Sequence, residues 1–471
     1  MVFASLAFLF IFLPANLCIY YLTPKDEYRN IVLILFSFVF YAWGEPIWVC
    51  LLFLSATVDY FHGLLVERYR GTRWERAPLF SSIAVNIGLL VAFKYSGFLY
   101  QTINEIFSTS FEVQTYSLPI GISFYTFQTI SYVVDVYRGE VKPQRSYFKF
   151  LMFVSLYHQL VAGPIVRYAH IAKEVDDRRH TLSDFVSGVS RFCMGLFKKV
   201  CIANVAGELV VRYMETDPSL LSVGESWFGL LMFSLQIYYD FSGYSDMAIG
   251  LGMMFGFHYH ENFLYPYIAR TASEFWRRWH ISLGTFFRDY VYIPLGGKKR
   301  HPIRNLFVVW GLTGLWHGAS WNFILWGLYF GFLIWLERLF LKRLLNALPA
   351  FVSHCYLLFA VVVSWALFYF TDFNQLLDYL AVMFGGADPT LPGTDLGRVI
   401  QEHAYWLVMA FVLCMPVYPW LLGHVETYVA ESGLRQRLTG LAVIGCNMSL
   451  LLISTAMLVG RSYNPFLYFR F

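Results

Sequence analysis

The sequence predicts an all-α, polytopic membrane protein, and three observations carry that prediction. Hydrophobic residues make up 58% of the chain and Asp, Glu, Lys and Arg only 14%, against about a quarter charged in an ordinary soluble domain. Apolar runs recur along nearly all of the 471 residues, each close to the roughly 20 that a helix needs to cross a hydrocarbon core of about 30 Å. The runs are too long for barrel strands and do not alternate, so helices, which satisfy their own backbone polar groups, are the spanning elements. A coarse count gives about eleven transmembrane helices plus re-entrant segments, in one membrane-embedded domain covering residues 1–471.

The first run, residues 3–21, has no Lys or Arg before it and no small-residue cleavage pattern after it, so it reads as a retained span and not a signal peptide. Residues 31–66 are divided by Gly44-Glu45-Pro46 into two short helices. Basic residues then fix orientation. Arg68, Arg70, Arg73 and Arg76, the stretches 138–149, 167–179, 270–304 and 338–343, and more weakly Arg435 and Arg437, mark cytoplasmic loops. The loops 108–117, 214–226 and 371–402 contain Arg398 as their one basic residue and belong outside, as does the amino terminus. The longest polar connection, around Gly385-Gly386-Ala387-Asp388-Pro389, is an outer loop rich in turns.

That orientation forces two segments to return to the side they entered. Residues 147–166 have basic flanks at both ends and Gly163-Pro164 near the close, so they read as re-entrant. Residues 307–336 lie between Arg304 and Arg338, and their turn falls near His317-Gly318, which carries a histidine deep into the membrane. Gly252 with Gly256, and Gly327 with Gly331, are spaced for close helix contact. The seven cysteines lie in or beside apolar segments without C-x-x-C spacing, so they read as packing residues. The formal charge of +4 is too small to point to nucleic acid.

Three clusters could carry chemistry. Gly314-Leu315-Trp316-His317-Gly318-Ala319-Ser320-Trp321-Asn322 gathers an imidazole, an amide and indoles between small residues. A neutral imidazole, with an ordinary pKa of about 6.5, can take a proton from a hydroxyl and return it. The plain alternative is a core histidine bonded to a neighbouring helix. Glu274-Phe275-Trp276-Arg277-Arg278-Trp279-His280-Ile281-Ser282-Leu283 is basic and aromatic together. As a helix it lies at the cytoplasmic interface with Trp276 and Trp279 at headgroup level, and Arg277 and Arg278 either snorkel or meet a phosphate-rich donor. Asp240 and Asp246 fall mid-span in residues 227–255, where they orient a histidine, relay protons or, as the favoured reading, pair with arginines and tie helices together. His258-Tyr259-His260-Glu261 is weak evidence for a metal and none is assigned. There is no Walker-type phosphate loop and no G-x-S-x-G elbow.

These motifs, with Phe40-Tyr41-Ala42-Trp43-Gly44-Glu45-Pro46, Pro119-Ile120-Gly121-Ile122-Ser123-Phe124-Tyr125-Thr126-Phe127-Gln128, Ala162-Gly163-Pro164-Ile165-Val166-Arg167, Asp240-Phe241-Ser242-Gly243-Tyr244-Ser245-Asp246 and Asn464-Pro465-Phe466, run in order over nearly the whole chain. Together the set resembles the membrane-bound O-acyltransferase family, in its bacterial alginate O-acetyltransferase-like branch. The resemblance implies a ring of tilted helices around a central tunnel, with His317 at the position of the catalytic histidine and His280 at the second motif position. It further implies acetyl-CoA as donor substrate with no permanently bound cofactor. The acceptor is then a hydroxyl on, or handed on by, an extracytoplasmic SGNH-hydrolase-like acetyltransferase or other polysaccharide-modification partner, and the place is the bacterial inner membrane. Asn322, Trp316 and the neighbouring indoles are expected to support the reaction, with Asn322 or an indole N–H steadying the oxyanion. A transporter or flippase of a polysaccharide export machine, working without chemistry, is the alternative, and a purely structural subunit is a third reading.

Overall fold

The turn at Gly44-Glu45-Pro46 does what its residues predict: one helix, Asp26–Ala42, ends before it and another, Val49–Arg68, starts after it. Asp26 and Glu27 occupy the first turn of the former, where carboxylates favour the positive end of the helix dipole. The computed structural model describes residues 1–113, 117–386, 396–417, 420, 433–460 and 466–467. No strand occurs among them. Five of their helices are long and apolar enough to cross a membrane, namely Val49–Arg68, Ala77–Phe107, Trp321–Ala347, Ala350–Tyr369 and Leu438–Val459. The all-helical polytopic class is as predicted, and the expected eleven spans exceed what this criterion supplies. Ala387-Asp388-Pro389 and Asn464-Pro465 lie outside the described residues, as do the side chains of Arg435 and Arg437.

The chain divides into two compact units. The first comprises Met1–Phe192 with Tyr244–Glu261, the second Cys193–Gly243 with Asn262–Phe471. In the first unit the segment expected to be re-entrant breaks at Leu156 into Tyr147–Ser155 and Tyr157–Leu160, neither long enough to cross a bilayer. Nearly every residue from Phe150 to Val166 is buried. Buried charge in this unit is matched by partners. Asp59 accepts hydrogen bonds from Ser82 Oγ at 2.6 Å and Asn86 Nδ2 at 2.7 Å. Arg167 pairs with Asp135 at 3.0 Å. Such pairing removes most of the cost of taking charge out of water.

The helix Val223–Met254 supplies its earlier residues to the second unit and its later ones to the first. Its glycines require a correction. Gly256 lies beyond the helix end with φ +81, so it terminates the helix and makes no helix-to-helix contact. Gly252 faces Tyr259 of its own following segment. The close approach falls instead at Gly250, where an added Cβ would stand 2.5 Å from the Gly188 carbonyl oxygen. In the second unit the core is aromatic, with Trp279, Trp326 and Trp365 almost fully buried.

Candidate functional site

The hairpin predicted around His317 forms, with arms Pro302–His317 and Trp321–Leu336 joined through Gly318-Ala319-Ser320. Pro302 opens the first arm, where its missing N–H costs nothing. Asn305 Nδ2 donates to the carbonyls of Leu295 at 3.2 Å, Gly297 at 3.1 Å and Arg300 at 2.6 Å, which fastens the basic turn below the arm. Glycine sets how closely the arms approach. A Cβ at Gly314 would strike the Phe323 carbonyl oxygen, and one at Gly327 would strike that of Trp310. Gly318 and Ser320 are extended, so the first arm stops at His317, whose ring is 3% exposed.

His280 is placed by a different device. The short helix Ala272–Arg278 is capped by Thr271, whose Oγ1 accepts from Glu274 N at 3.1 Å, while Glu274 accepts from Arg270 N at 3.0 Å, a variant of the capping box. Partial burial works against the charge of Glu274, but the hydrogen bonds from Arg270 N–H and Arg278 and the nearby guanidinium charges outweigh it and hold its carboxyl below the usual value. The helix ends at Trp279, and His280 follows in the left-handed region at φ 43. A non-glycine residue there is uncommon and strained by about 1–3 kcal/mol. The strain is held by Asn262, whose carbonyl accepts from Ile281 N at 3.0 Å and whose Oδ1 accepts from Ser282 Oγ at 2.9 Å. One continuous interfacial helix was expected here, and the structure corrects it to two short helices with a bend at Trp279-His280.

The two histidines come together. Their ring centroids lie 6.4 Å apart, with Trp316 at 5.4 Å from His280 and 4.9 Å from His317. Phe241 closes on His280 at 4.6 Å, and Trp326 and Phe368 close on His317 at 5.0 and 5.3 Å. His280 is 1% exposed, and neither of its ring nitrogens has a hydrogen-bond partner among the described residues. The same holds for the indole nitrogens of Trp276 and Trp326 and for Asn322 Oδ1. Buried polar atoms are normally paired, so a cluster left over by the protein's own bonding points to a place kept for a substrate or water.

Other predicted residues settle differently. Trp279 faces the protein core: it is 2% exposed and packs among Tyr238, Phe263, Phe275 and Trp365. Trp276 sits against Trp310, Trp326 and Phe330 of the hairpin. Arg278 is engaged by Glu274 at 3.0 Å, whereas Arg277 is exposed and reaches only the Ser273 carbonyl, at 3.1 Å. Asn322 commits one of its two amide N–H groups to the Leu367 carbonyl at 3.1 Å. The carboxylates follow the favoured structural reading. Asp246 pairs with Arg191 at 2.6 Å, which also holds Glu261, and Asp240 pairs at 2.6 Å with a lysine, Lys199, while accepting Leu467 N at 2.6 Å.

Sequence reasoning missed Trp326, Phe368 and Glu337. The two rings look like any other apolar residues of a span, and Glu337 stands next to Arg338 in what reads as a loop flank. It is 2% exposed and accepts from Ala272 N at 2.5 Å, Ser273 N at 3.0 Å and Ser273 Oγ at 2.7 Å.

The sequence profile of the membrane-bound O-acyltransferase family matches residues 140–377. The chain is 36% identical to the "Probable alginate O-acetylase AlgI" of Azotobacter vinelandii, over all of both chains. It is 41% identical to the protein of the same description from Pseudomonas syringae pv. tomato, over 87% of this chain and 80% of that one. It is 31% identical to the "Peptidoglycan O-acetyltransferase" of Helicobacter pylori, over 85% of this chain and 82% of that one.

Proposed function

From the premise that the chain belongs to the membrane-bound O-acyltransferase family, we propose that it carries an acetyl group from cytoplasmic acetyl-CoA to a hydroxyl outside, for O-acetylation of an extracellular polysaccharide. The observation that carries this reading is the pair of buried histidines 6.4 Å apart, beside polar side-chain atoms without hydrogen-bond partners among the described residues.

The chemistry asks little more of the protein than these groups. The His317 imidazole takes the proton of the acceptor hydroxyl, and the oxygen attacks the thioester carbonyl. The tetrahedral oxyanion is steadied by indole N–H groups, with Trp326 the best placed. Collapse expels the CoA thiolate, and the imidazolium returns its proton to that sulfur, leaving an ester and free CoA. His280, 6.4 Å away, orients one reactant or relays a proton. Arg277, exposed at the end of its short helix, meets donor phosphates more readily than Arg278, which Glu274 already holds.

In this reading the basic loops face the cytoplasm of a bacterium, the amino terminus lies outside the inner membrane, and a tunnel lets donor and acceptor meet without either crossing. The first arm of the hairpin, 16 residues or about 24 Å, is shorter than a bilayer core, which suits a turn held within the membrane. The acceptor passes to an extracytoplasmic SGNH-hydrolase-like partner or to the polysaccharide itself. The description of the Azotobacter relative as an alginate O-acetylase supports the substrate class.

The test reconstitutes the purified chain in lipid discs with acetyl-CoA and an unacetylated alginate oligosaccharide as hydroxyl acceptor, and follows free CoA. His317→Ala is expected to lower release by about 10²–10⁴-fold, the usual contribution of a general base. Release at the wild-type rate would reject the mechanism.

A further inference from the structure

The two histidines stand on separate pieces of backbone, and most of what joins those pieces is aromatic. Trp276, on the helix leading to His280, touches Trp310, Trp326 and Phe330 of the hairpin at 4.9–5.4 Å. Ring contacts of this kind are strong but tolerant of sliding, because dispersion has little directional preference. One directional link exists beside them. Glu337, on the hairpin's second arm as it continues through Trp321–Ala347, accepts three hydrogen bonds from Ala272 and Ser273, at the start of the helix that ends in His280.

We propose that Glu337 is a positioning residue for the transfer reaction, fixing the register of the His280 segment against the hairpin that carries His317; this rests on the acyl-transfer reading above. Both carboxylate oxygens are in use: Oε1 takes Ala272 N–H, and Oε2 takes Ser273 N–H and the Ser273 hydroxyl. Its burial at 2% exposure keeps water from competing for these bonds. Thr271 and Glu274 take up the N–H groups of Glu274 and Arg270, and the hairpin carboxylate takes the two between them, Ala272 and Ser273, so the start of this helix is completed from another element. What it adds is a fixed offset between two elements, and misplacement by about 1 Å is enough to cost a reaction roughly 10²-fold.

Glu337→Gln separates this from simple stability. The amide has nearly the same shape, but one of its two terminal atoms becomes a donor, and either orientation sets it against a backbone N–H. Thr271→Ala weakens the same helix start without touching the link. In lipid discs with acetyl-CoA and an alginate oligosaccharide acceptor, kcat for CoA release is expected to fall at least about tenfold in Glu337→Gln, with KM for acetyl-CoA within about twofold, and Glu337→Asp to lie between it and wild type. Thr271→Ala is expected to stay within about threefold of wild type. A spin-label pair at Gly284→Cys and Trp321→Cys, in a chain with its native cysteines replaced, is expected to give a broader distance distribution in Glu337→Gln than in Thr271→Ala. Equal losses in the two variants, or an unchanged kcat and distance distribution in Glu337→Gln, would overturn the proposal. If His317→Ala still released CoA, the acyl-transfer reading would fall, whereas the distance measurement would still report on the link itself.

Discussion

The long helix Val223–Met254 and the hairpin around His317 both carry polar side chains into an apolar interior, yet they treat them in opposite ways. On the long helix the two carboxylates in its second half each have a cation. Asp240 has Lys199 at 2.6 Å, and Asp246 has Arg191 at 2.6 Å. In the histidine region the ring nitrogens of His280, Trp276 and Trp326 are buried without hydrogen-bond partners among the described residues, and their surroundings are rings and glycine-tight backbone. The difference teaches how to read buried polarity in a membrane chain. Groups that complete each other hold the protein together, and groups that remain incomplete await something brought from elsewhere.

Removing one member of a completed pair should do the most damage. Lys199→Met leaves Asp240 buried without its cation, and the expected cost is about 3–5 kcal/mol, read as lost yield and a lower unfolding temperature in detergent. Replacing both, as Lys199→Met with Asp240→Leu, should recover much of that. No recovery would mean that the bond from Leu467 N to Asp240 matters more than the ion pair.

The hairpin depends on packing, so a smaller steric insult should suffice there. Gly314→Val drives a side chain into the Phe323 carbonyl, with an expected loss of about 1–3 kcal/mol and of acyl transfer, since His317 stands three residues on. Normal activity in a stable variant would show that the arms can part without moving the histidine.

His280→Asn sharpens the contrast from the other side. Asn tolerates the left-handed backbone and no hydrogen bond is lost, so stability should change by less than about 1 kcal/mol. Turnover is nevertheless expected to fall at least about tenfold. A large drop in unfolding temperature would place His280 with the structural groups.

The smallest effect belongs to His258, in the loop after the long helix. Partial burial disfavours its charge, but the hydrogen bond to Glu174 at 2.8 Å and the charges of Glu174 and Asp184 outweigh it and raise its pKa above the ordinary 6.5. A raised imidazole lends stability that is fully present below pH 6.5 and fades as pH climbs through the folded-state value. Unfolding temperatures from acid to mildly alkaline pH should therefore decline slightly more for wild type than for His258→Gln. Parallel curves would remove the cluster from the account.

By itself the sequence determined the helical membrane class, the turn at Gly44-Glu45-Pro46 and the hairpin at His317, because run length, flanking charge and turn chemistry are local properties written in consecutive residues. It also pointed the right way on Asp240 and Asp246, since an unpaired carboxylate at that depth is too costly to keep. It could not supply partners. That Asp240 chooses Lys199, that Trp279 turns into the core, that the segment before His280 bends into the left-handed region, and that Glu337 reaches back to Ala272 and Ser273 are matters of which distant residues become neighbours. Only the tertiary structure decided them, because a hydrogen bond or an aromatic contact depends on separation in space, and linear order in an almost uniformly apolar chain leaves that separation open.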